Sequence, residues 1–302
     1  GWQQPTQEPM RGELAALTAA CLWAVATVMF GRLGKALSPL VLNLAKGSIA
    51  LGLLALTLLL LGQSTAGLDR QAVGVLAFSG VIGIGLGDTA YFAAINRLGP
   101  RRALLLETLA PPIAALMALA FLQEALSVRS WLGIGLTLAG VVWVIAERMP
   151  GSAIPTWANR WGIVYGVLAA LGQATGAVMS RAVLADTAVG PLWSSLLRLA
   201  GGCIIILGIL RYQGPVVGVL RPLKSPRLLA GVALAALLGT YLAIYLQQMA
   251  LKYAPTGVAQ ALTSTSPLFV LPLAAVLGDR VSVRAVAGAA VALAGIAILV
   301  NG

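Results

Sequence analysis

Ten mainly apolar stretches, each about 20 residues long, follow one another along the chain with only short polar connections between them. An α-helix rises about 1.5 Å per residue, so each stretch is long enough to cross the hydrocarbon core of a bilayer. Lipid offers no hydrogen bonds, and an α-helix satisfies its backbone groups internally. The predicted spans are residues 13–33, 38–61, 72–96, 101–122, 128–146, 161–184, 190–210, 228–251, 256–277 and 282–300.

The composition excludes a water-soluble domain of this length. Hydrophobic residues make up 59% of the sequence and charged residues only 10%, against about 25% charged residues in a typical soluble protein. The net charge of +11 comes from Lys and Arg scattered through the short connections, which is typical of membrane helices and predicts no nucleic-acid partner. We therefore expect an all-α polytopic membrane protein whose surroundings are the lipid bilayer.

The sequence contains no His, which excludes Ser-His-Asp triads, His-based zinc motifs and histidine proton relays. Cys21 and Cys203 both lie inside apolar stretches, so they predict no disulfide framework. We expect no metal, no cofactor and no catalytic residues, and any proton chemistry has to use carboxylates.

The chain consists of two halves that repeat. The segment RLGPRRALLLETLAPP, residues 97–112, matches KYAPTGVAQALTSTSP, residues 252–267. Likewise EALSVRSWLGIGLTLAG, residues 124–140, matches DRVSVRAVAGAAVALAG, residues 279–295. Each half contains five predicted spans, and an odd number means that the second half enters the membrane in the opposite direction. The predicted units are a first five-helix repeat, a linker and an inverted second repeat, at residues 1–148, 149–160 and 161–302.

These repeated motifs resemble the drug/metabolite transporter superfamily, and most closely its ten-helix EamA type. The resemblance covers nearly the whole chain and rests on matched prolines, turns and acids in the two halves: Pro39 and Pro191, Gly99-Pro100 and Ala254-Pro255, Glu124 and Asp279. It implies carriage of small metabolites across a cell (inner) membrane by a multi-pass protein with both termini in the cytoplasm. The Lys and Arg distribution gives the opposite orientation, because the connections that follow the odd-numbered spans hold most of the cations.

Three charged residues are predicted to share one layer inside the membrane. Counting about 1.5 Å per residue places Lys46, Asp88 and Glu107 roughly 10–13 Å from the end that bears the connection between the first two spans. One acid can pair with Lys46, and the surplus acid would hold a proton near neutral pH, which is the requirement for proton coupling. The alternative is a structural ion pair beside an acid that stays protonated or contacts water.

Arg198 is predicted to lie near the opposite side, level with Tyr245 and Thr263, without an acid from its own half. Guanidinium binds carboxylate or phosphate through two hydrogen bonds, so Arg198 is a candidate substrate ligand. The alternative is a structural Arg that is bonded to backbone carbonyls and Gln247.

Prolines interrupt the fourth and ninth spans at related places, at Pro111, Pro112, Pro267 and Pro272. Such backbone survives in a membrane only where protein or a wet cavity satisfies it, so these spans are predicted to line the pathway, with Pro112 and Pro267 as kinks. Trp23 and Gln173 occupy equivalent positions near mid-membrane and are predicted to face the same site. The predicted substrate-binding residues are Trp23, Lys46, Gln173, Arg198, Tyr245, Thr263, Ser264 and Ser266.

Glycines are frequent in the fifth and tenth spans, for example Gly133, Gly140, Gly288 and Gly295. We interpret them as places where two helices approach closely, since small residues allow close packing in membranes. The run from Gly80 to Gly87 lacks the strand and the Lys of a phosphate-binding loop and predicts no nucleotide.

The sequence therefore predicts a secondary transporter, not an enzyme, that moves a small polar or amphipathic metabolite of the amino acid or organic anion class. It would work by alternating access and be coupled to protons. One alternative is an uncoupled facilitator or exchanger of phosphorylated or nucleotide-linked metabolites. A channel and an intramembrane lipid-modifying enzyme are more remote alternatives.

Overall fold

The computed structural model describes residues 10–147, 156–214, 220–269 and 282–301, and every regular element in these ranges is a helix. The all-α prediction is thus confirmed for the described part of the chain. We number the long helices α1 to α10, with a separate 3₁₀ turn at Arg221–Lys224. Their bounds are α1 Arg11–Leu33, α2 Pro39–Leu61, α3 Arg70–Leu98, α4 Pro100–Glu107 continued by Ala110–Leu122, α5 Val128–Glu147, α6 Thr156–Leu184, α7 Pro191–Gln213, α8 Pro226–Tyr253, α9 Thr256–Thr263 and α10 Val283–Val300.

Nine helices within the described ranges are long and apolar enough to cross a membrane. They correspond to every predicted span except 256–277. That span begins as α9, resumes at residues 266–269, and its remainder lies outside the described residues, as does Pro272. The expected number of ten therefore stays a prediction.

Local chemistry explains where the helices begin. Pro39 occupies the first helical position of α2, where a missing N–H costs nothing, and the Ser38 side chain accepts a hydrogen bond from the Val41 amide at 3.4 Å. Asp69 caps α3 in the same way through the Ala72 amide at 2.7 Å. Such caps satisfy amides that would otherwise be unpaired at a helix start.

Helices α3 and α8 each contain a π-helical segment near the middle, at Val81–Asp88 and Leu237–Leu242. The alignment that pairs Arg97 with Lys252 places these two segments at the same position, because residues 237–242 lie within residues 236–243, the equivalent of Val81–Asp88. A π turn holds an extra residue, so it changes which side chains face a neighbouring helix, and such segments are frequent at functional sites.

Helices α4 and α9 are both interrupted, at residues 108–109 and 264–265. The interruption in α4 lies just before Pro111 and Pro112, and that in α9 just before Pro267. Proline lacks an amide hydrogen, and its ring crowds the preceding turn, so continuous helical hydrogen bonding fails there. The two halves thus carry the same irregularity in the same helix.

The glycines of α5 and α10 mediate a close crossing of these two helices. A Cβ added at Gly140 would lie 2.6 Å from the carbonyl oxygen of Gly288, and one at Gly295 would lie 2.8 Å from that of Gly133. Gly140 is the repeat equivalent of Gly295, and Gly133 that of Gly288, so the two contacts are reciprocal. Because low numbers in one helix pair with high numbers in the other, the helices run antiparallel.

Glycine contacts also show which helix ends lie together. Gly162 at the start of α6 packs against Leu98 at the end of α3, and Gly231 near the start of α8 packs against Leu33 at the end of α1. We call this side of the helix bundle the Ser38 end, after the residue that caps α2 there.

The opposite side holds the start of α1 and the end of α8, where Gly12 packs against Ala254. Gly67, in the connection after α2, packs there against Val189, which precedes α7. We call this side the Glu124 end, because Glu124 follows α4 there.

Candidate functional site

A cavity that is partly open to solvent lies between helices from both halves of the chain. The polar side chains that line it belong to Trp23, Thr27, Lys46, Asp88, Tyr91, Glu107, Thr108, Gln173, Arg198, Gln247, Gln260, Thr263, Ser264 and Ser266. The cavity thus brings together all four intramembrane charges that were singled out from the sequence.

Helical spacing places the α1 residues on this cavity. Trp23, Thr27 and Phe30 stand four and three residues apart, which puts them on one face of the helix. The Trp23 indole donates a hydrogen bond to the Gly239 carbonyl inside the π segment of α8, at 2.8 Å. The aromatic face of α1 is thereby fixed against the irregular part of α8.

Lys46 and Asp88 form an ion pair of 2.7 Å between α2 and the end of the π segment in α3. The Lys46 side chain is 4% exposed and that of Asp88 29% exposed, so the carboxylate is the more accessible partner. The ammonium also lies 5.9 Å and 5.5 Å from the ring centroids of Phe30 and Phe92, within cation–π range. Lys46 is therefore neutralised and surrounded before any solute enters.

Asn43 holds the π segment in place one turn before Lys46. Its side-chain amide donates to the Ile84 carbonyl at 2.8 Å and to the Thr89 hydroxyl at 3.0 Å. A π turn leaves a backbone carbonyl without its usual helical partner, and a side-chain donor can satisfy it. Asn43 thus helps to position Asp88 beside Lys46.

Among the described residues, Lys46 pairs with Asp88, and Glu107 is the second acid of the cavity. It is the last residue before the interruption of α4, and it lines the same cavity. Its Oε2 atom is buried and has no hydrogen-bond partner among the described residues. Burying an unpaired carboxylate charge is costly, so the neutral, protonated acid is the form that suits this place.

Arg198 lies at the cavity wall but is 1% exposed; one terminal nitrogen of its guanidinium is already bonded, whereas its buried Nε has no hydrogen-bond partner among the described residues. One terminal nitrogen donates to the Gly176 carbonyl at 2.7 Å and to the Ser180 hydroxyl, both on α6. The guanidinium fits beside Gly83 and Gly176, where an added Cβ would lie 3.1 Å and 3.2 Å from its other terminal nitrogen. The bond to a backbone carbonyl agrees with the structural alternative for Arg198. The side-chain partner, however, is Ser180 and not Gln247.

The other predicted substrate-binding residues divide into two groups. Gln173, Thr263, Ser264 and Ser266 line the cavity, as do Trp23 and Lys46. Tyr245 is not among the lining residues; it packs against an apolar cluster that includes Leu54 and Ile244. The π segment of α8 precedes Tyr245, and its extra residue changes which side chains of the following turns face the cavity. Ile244 and Gln247 line the cavity there in place of Tyr245.

Several lining residues were missed from the sequence, among them Phe30, Tyr91, Phe92 and Gln260. Spacing could have identified two of them, because Phe30 continues the face of Trp23 and Gln260 stands three residues before Thr263. Tyr91 and Phe92 depend on the direction that the π segment gives to the end of α3. Among the described residues, no group of His, Cys, Asp or Glu is placed to hold a metal ion.

Comparison with known proteins identifies the family. No curated protein matches the sequence. Among 28 chains of solved structures that match, one, described as a crystal structure of a protein, shares the fold with a TM-score of 0.76 at 18% identity over 95% of this chain and 96% of that chain. The EamA-like transporter family matches residues 10–146 and 160–301, one match in each half. Since these two segments cover most of the sequence, this multi-pass membrane protein belongs to the EamA-like transporter family.

Proposed function

We propose that the protein is a secondary transporter that moves a small amphipathic metabolite, of the amino acid or organic anion class, by alternating access and in exchange with or together with protons. It would act in the cell (inner) membrane through two inverted five-helix repeats, residues 1–148 and 161–302. The observation that carries the proposal is one cavity, lined from both halves, that holds an ion pair and a second acid, Glu107, whose Oε2 has no hydrogen-bond partner in the described part of the chain.

The reciprocal crossing of α5 and α10 supports the inverted arrangement. When residue i of one copy contacts residue j of the other and the reverse contact also exists, the copies are related by a two-fold axis. Gly140 with Gly288 and Gly295 with Gly133 form such a pair between antiparallel helices. An axis that relates antiparallel membrane helices lies in the membrane plane, as in other inverted-repeat transporters.

The lining of the cavity favours a substrate with both a polar head and an apolar part. Aromatic rings from Phe30, Tyr91 and Phe92 lie near the Lys46–Asp88 pair, which offers a negative and a positive group to a zwitterion. The proposed polar contacts on the facing walls come from Trp23, Gln173, Thr263, Ser264 and Ser266.

Phosphorylated or nucleotide-linked substrates are less well supported. A phosphate group needs unpaired cations or free amide hydrogens. Lys46 is paired with Asp88, and a terminal nitrogen of Arg198 is bonded to Gly176 and Ser180. Nη1 of Arg198 can then contact a substrate carboxylate only if these bonds are rearranged, whereas Nε has no hydrogen-bond partner among the described residues.

We assign proton coupling to Glu107, with Asp88 as the ion-pair partner of Lys46. Glu107 would bind a proton while its carboxyl group is buried and release it when the cavity opens to water on one side. Because Oε2 has no partner among the described residues, the proton itself is the neutralising ligand that fits there.

The test is substrate counterflow in proteoliposomes that contain the purified protein. Radiolabelled amino acids, organic acids, amines and sugar phosphates are compared, with protein-free liposomes as the control. We expect counterflow of an amino acid or organic acid. Counterflow of sugar phosphates alone would favour the exchanger, and absence of counterflow for every class would reject the proposed function.

A further inference from the structure

A second ionic cluster lies outside the cavity, at the Glu124 end of the helix bundle. Arg181 of α6 donates from Nε to Glu124 Oε1 at 2.5 Å, and the two side chains are 15% and 16% exposed. An ion pair this little exposed is screened less by water and salt than a surface pair.

Both partners make further bonds to the backbone of the second half. Arg181 donates from Nη1 to the carbonyls of Leu251 and Lys252, in the last turn of α8, at 2.8 Å and 2.9 Å. Glu124 accepts from the Thr256 amide at the start of α9, at 2.9 Å. Glu124 thus connects the segment after α4, in the first half, directly to α6 and α9 of the second half and, through Arg181, to α8.

This cluster lies just beyond one end of the cavity. Gln260, which lines the cavity, is one helical turn after Thr256, and Gln247 is one turn before Leu251. The bonded residues of α8 and α9 are therefore the first turns past the cavity in the direction of the Glu124 end. Separating Glu124 from these turns would open a route between the cavity and that side.

The cluster has no repeat counterpart at the Arg181 position. The match of Val28-Met29 with Val178-Met179 makes Gly31 the equivalent of Arg181. Gly31 has no side chain, and a Cβ added there would meet nothing within 4 Å. Gly31 therefore supplies no equivalent of the Arg181 contacts at the Ser38 end.

We infer that the Arg181–Glu124 cluster is a latch, which closes the pathway at the Glu124 end and must break for the cavity to open there. The inference rests on the proposed transport function, since it describes one gate of that cycle.

The experiment measures access of a water-soluble thiol reagent to the cavity. Cys21 and Cys203 are replaced by Ala, and Gln260→Cys is the reporter, since Gln260 is 2% exposed. Sealed proteoliposomes receive a membrane-impermeant maleimide on the Glu124 side, which is identified by labelling of a separate Ser64→Cys protein. Arg181→Gln is compared with Arg129→Gln, which removes an exposed cation from the same end.

We expect Arg181→Gln to increase the labelling rate of the reporter from the Glu124 side by about tenfold or more, because it removes bonds to charged groups that hold the closed state. Arg129→Gln is expected to leave the rate unchanged. A folded Arg181→Gln protein with the parental rate would overturn the latch.

Arg181→Lys covers the case in which Arg181→Gln fails to fold. Lys keeps the charge, but its single nitrogen cannot serve Glu124 and both carbonyls with the geometry of a guanidinium, so an intermediate rate is expected. The parental rate in this variant would also overturn the latch. Counterflow is measured on separate vesicles whose protein retains Gln260. Faster labelling of the reporter without counterflow by this protein supports the latch and rejects the transport function, whereas counterflow with unchanged labelling rejects the latch alone.

Discussion

Lys46 and Arg198 are both cations in the cavity wall, and their environments give them different tasks. Lys46 contacts an accessible carboxylate, which a solute can replace or share. Arg198 is 1% exposed and bonded to α6. It packs against Gly83 and Gly176, where a larger residue would crowd the guanidinium. Its contacts join α3, α6 and α7, so its first effect is on stability.

Arg198→Gln is expected to destabilise the protein. The change removes the hydrogen bonds of a charged donor to the Gly176 carbonyl and the Ser180 hydroxyl, and such bonds contribute about 1.5–3 kcal/mol each, although these two groups remain bonded to each other. Thermal unfolding of the purified protein measures the loss, with Arg211→Gln, an exposed Arg on the same helix, as the control. An unchanged unfolding temperature together with lost substrate binding would instead make Arg198 a substrate ligand.

Glu107→Gln is expected to keep counterflow and to lose accumulation driven by a pH gradient. Gln has the shape of the protonated acid but cannot release the proton. With one proton per substrate, a gradient of one pH unit supports at most about tenfold accumulation, and the variant should show none. Glu13→Gln, outside the cavity lining, is the control. Full pH-driven accumulation by Glu107→Gln would assign coupling elsewhere.

At the scale of the helices, the sequence predicted the apolar spans well, because length and hydropathy alone decide them. The interruption of α4 and α9 could be anticipated from the prolines. The π segments could not, since they arise where glycine-rich helices adjust to their neighbours and to side chains such as Asn43. That local change accounts for Tyr245, which was expected at the site, and for Tyr91 and Phe92, which were not.

The α5–α10 crossing gives a prediction with an internal control. Gly140→Leu would place a side chain against the backbone of α10 and should lower the free energy of unfolding by about 1–3 kcal/mol or more, as overpacking does. Gly135→Leu, on the same helix, meets nothing within 4 Å and should change it by less than about 0.5 kcal/mol. Thermal unfolding of both variants gives the comparison. Equal stability would mean that the helices do not cross at Gly140.

At the scale of the molecule, the two ends differ in charge as well as in their contacts. The connections of the Ser38 end and the helix turns next to them contain many cations: Arg32, Lys35, Arg97, Arg102, Arg160, Arg211, Arg221, Lys224 and Arg227. The positive-inside rule places this end in the cytoplasm, whereas the resemblance that was drawn from the sequence places the termini, and so the Glu124 end, there. The sequence could not decide between them, because cations near a membrane surface can also face a substrate vestibule.

The inverted repeat predicts that equivalent connections lie on opposite sides of the membrane. Ser64 follows α2, and Ser225 follows α7, its repeat equivalent; both are exposed. In a protein without Cys21 and Cys203, Ser64→Cys and Ser225→Cys should therefore react with an impermeant maleimide from opposite sides of intact cells and inverted vesicles. Reaction from the same side would reject the inverted arrangement, because two parallel repeats would place these connections together.

If Ser225→Cys reacts only in inverted vesicles, the charge rule is correct for this protein, the termini are outside, and the latch closes the external gate. If Ser64→Cys is the protected one, the latch closes the cytoplasmic gate, and the cations of the Ser38 end surround the external entrance, where they would attract anionic solutes.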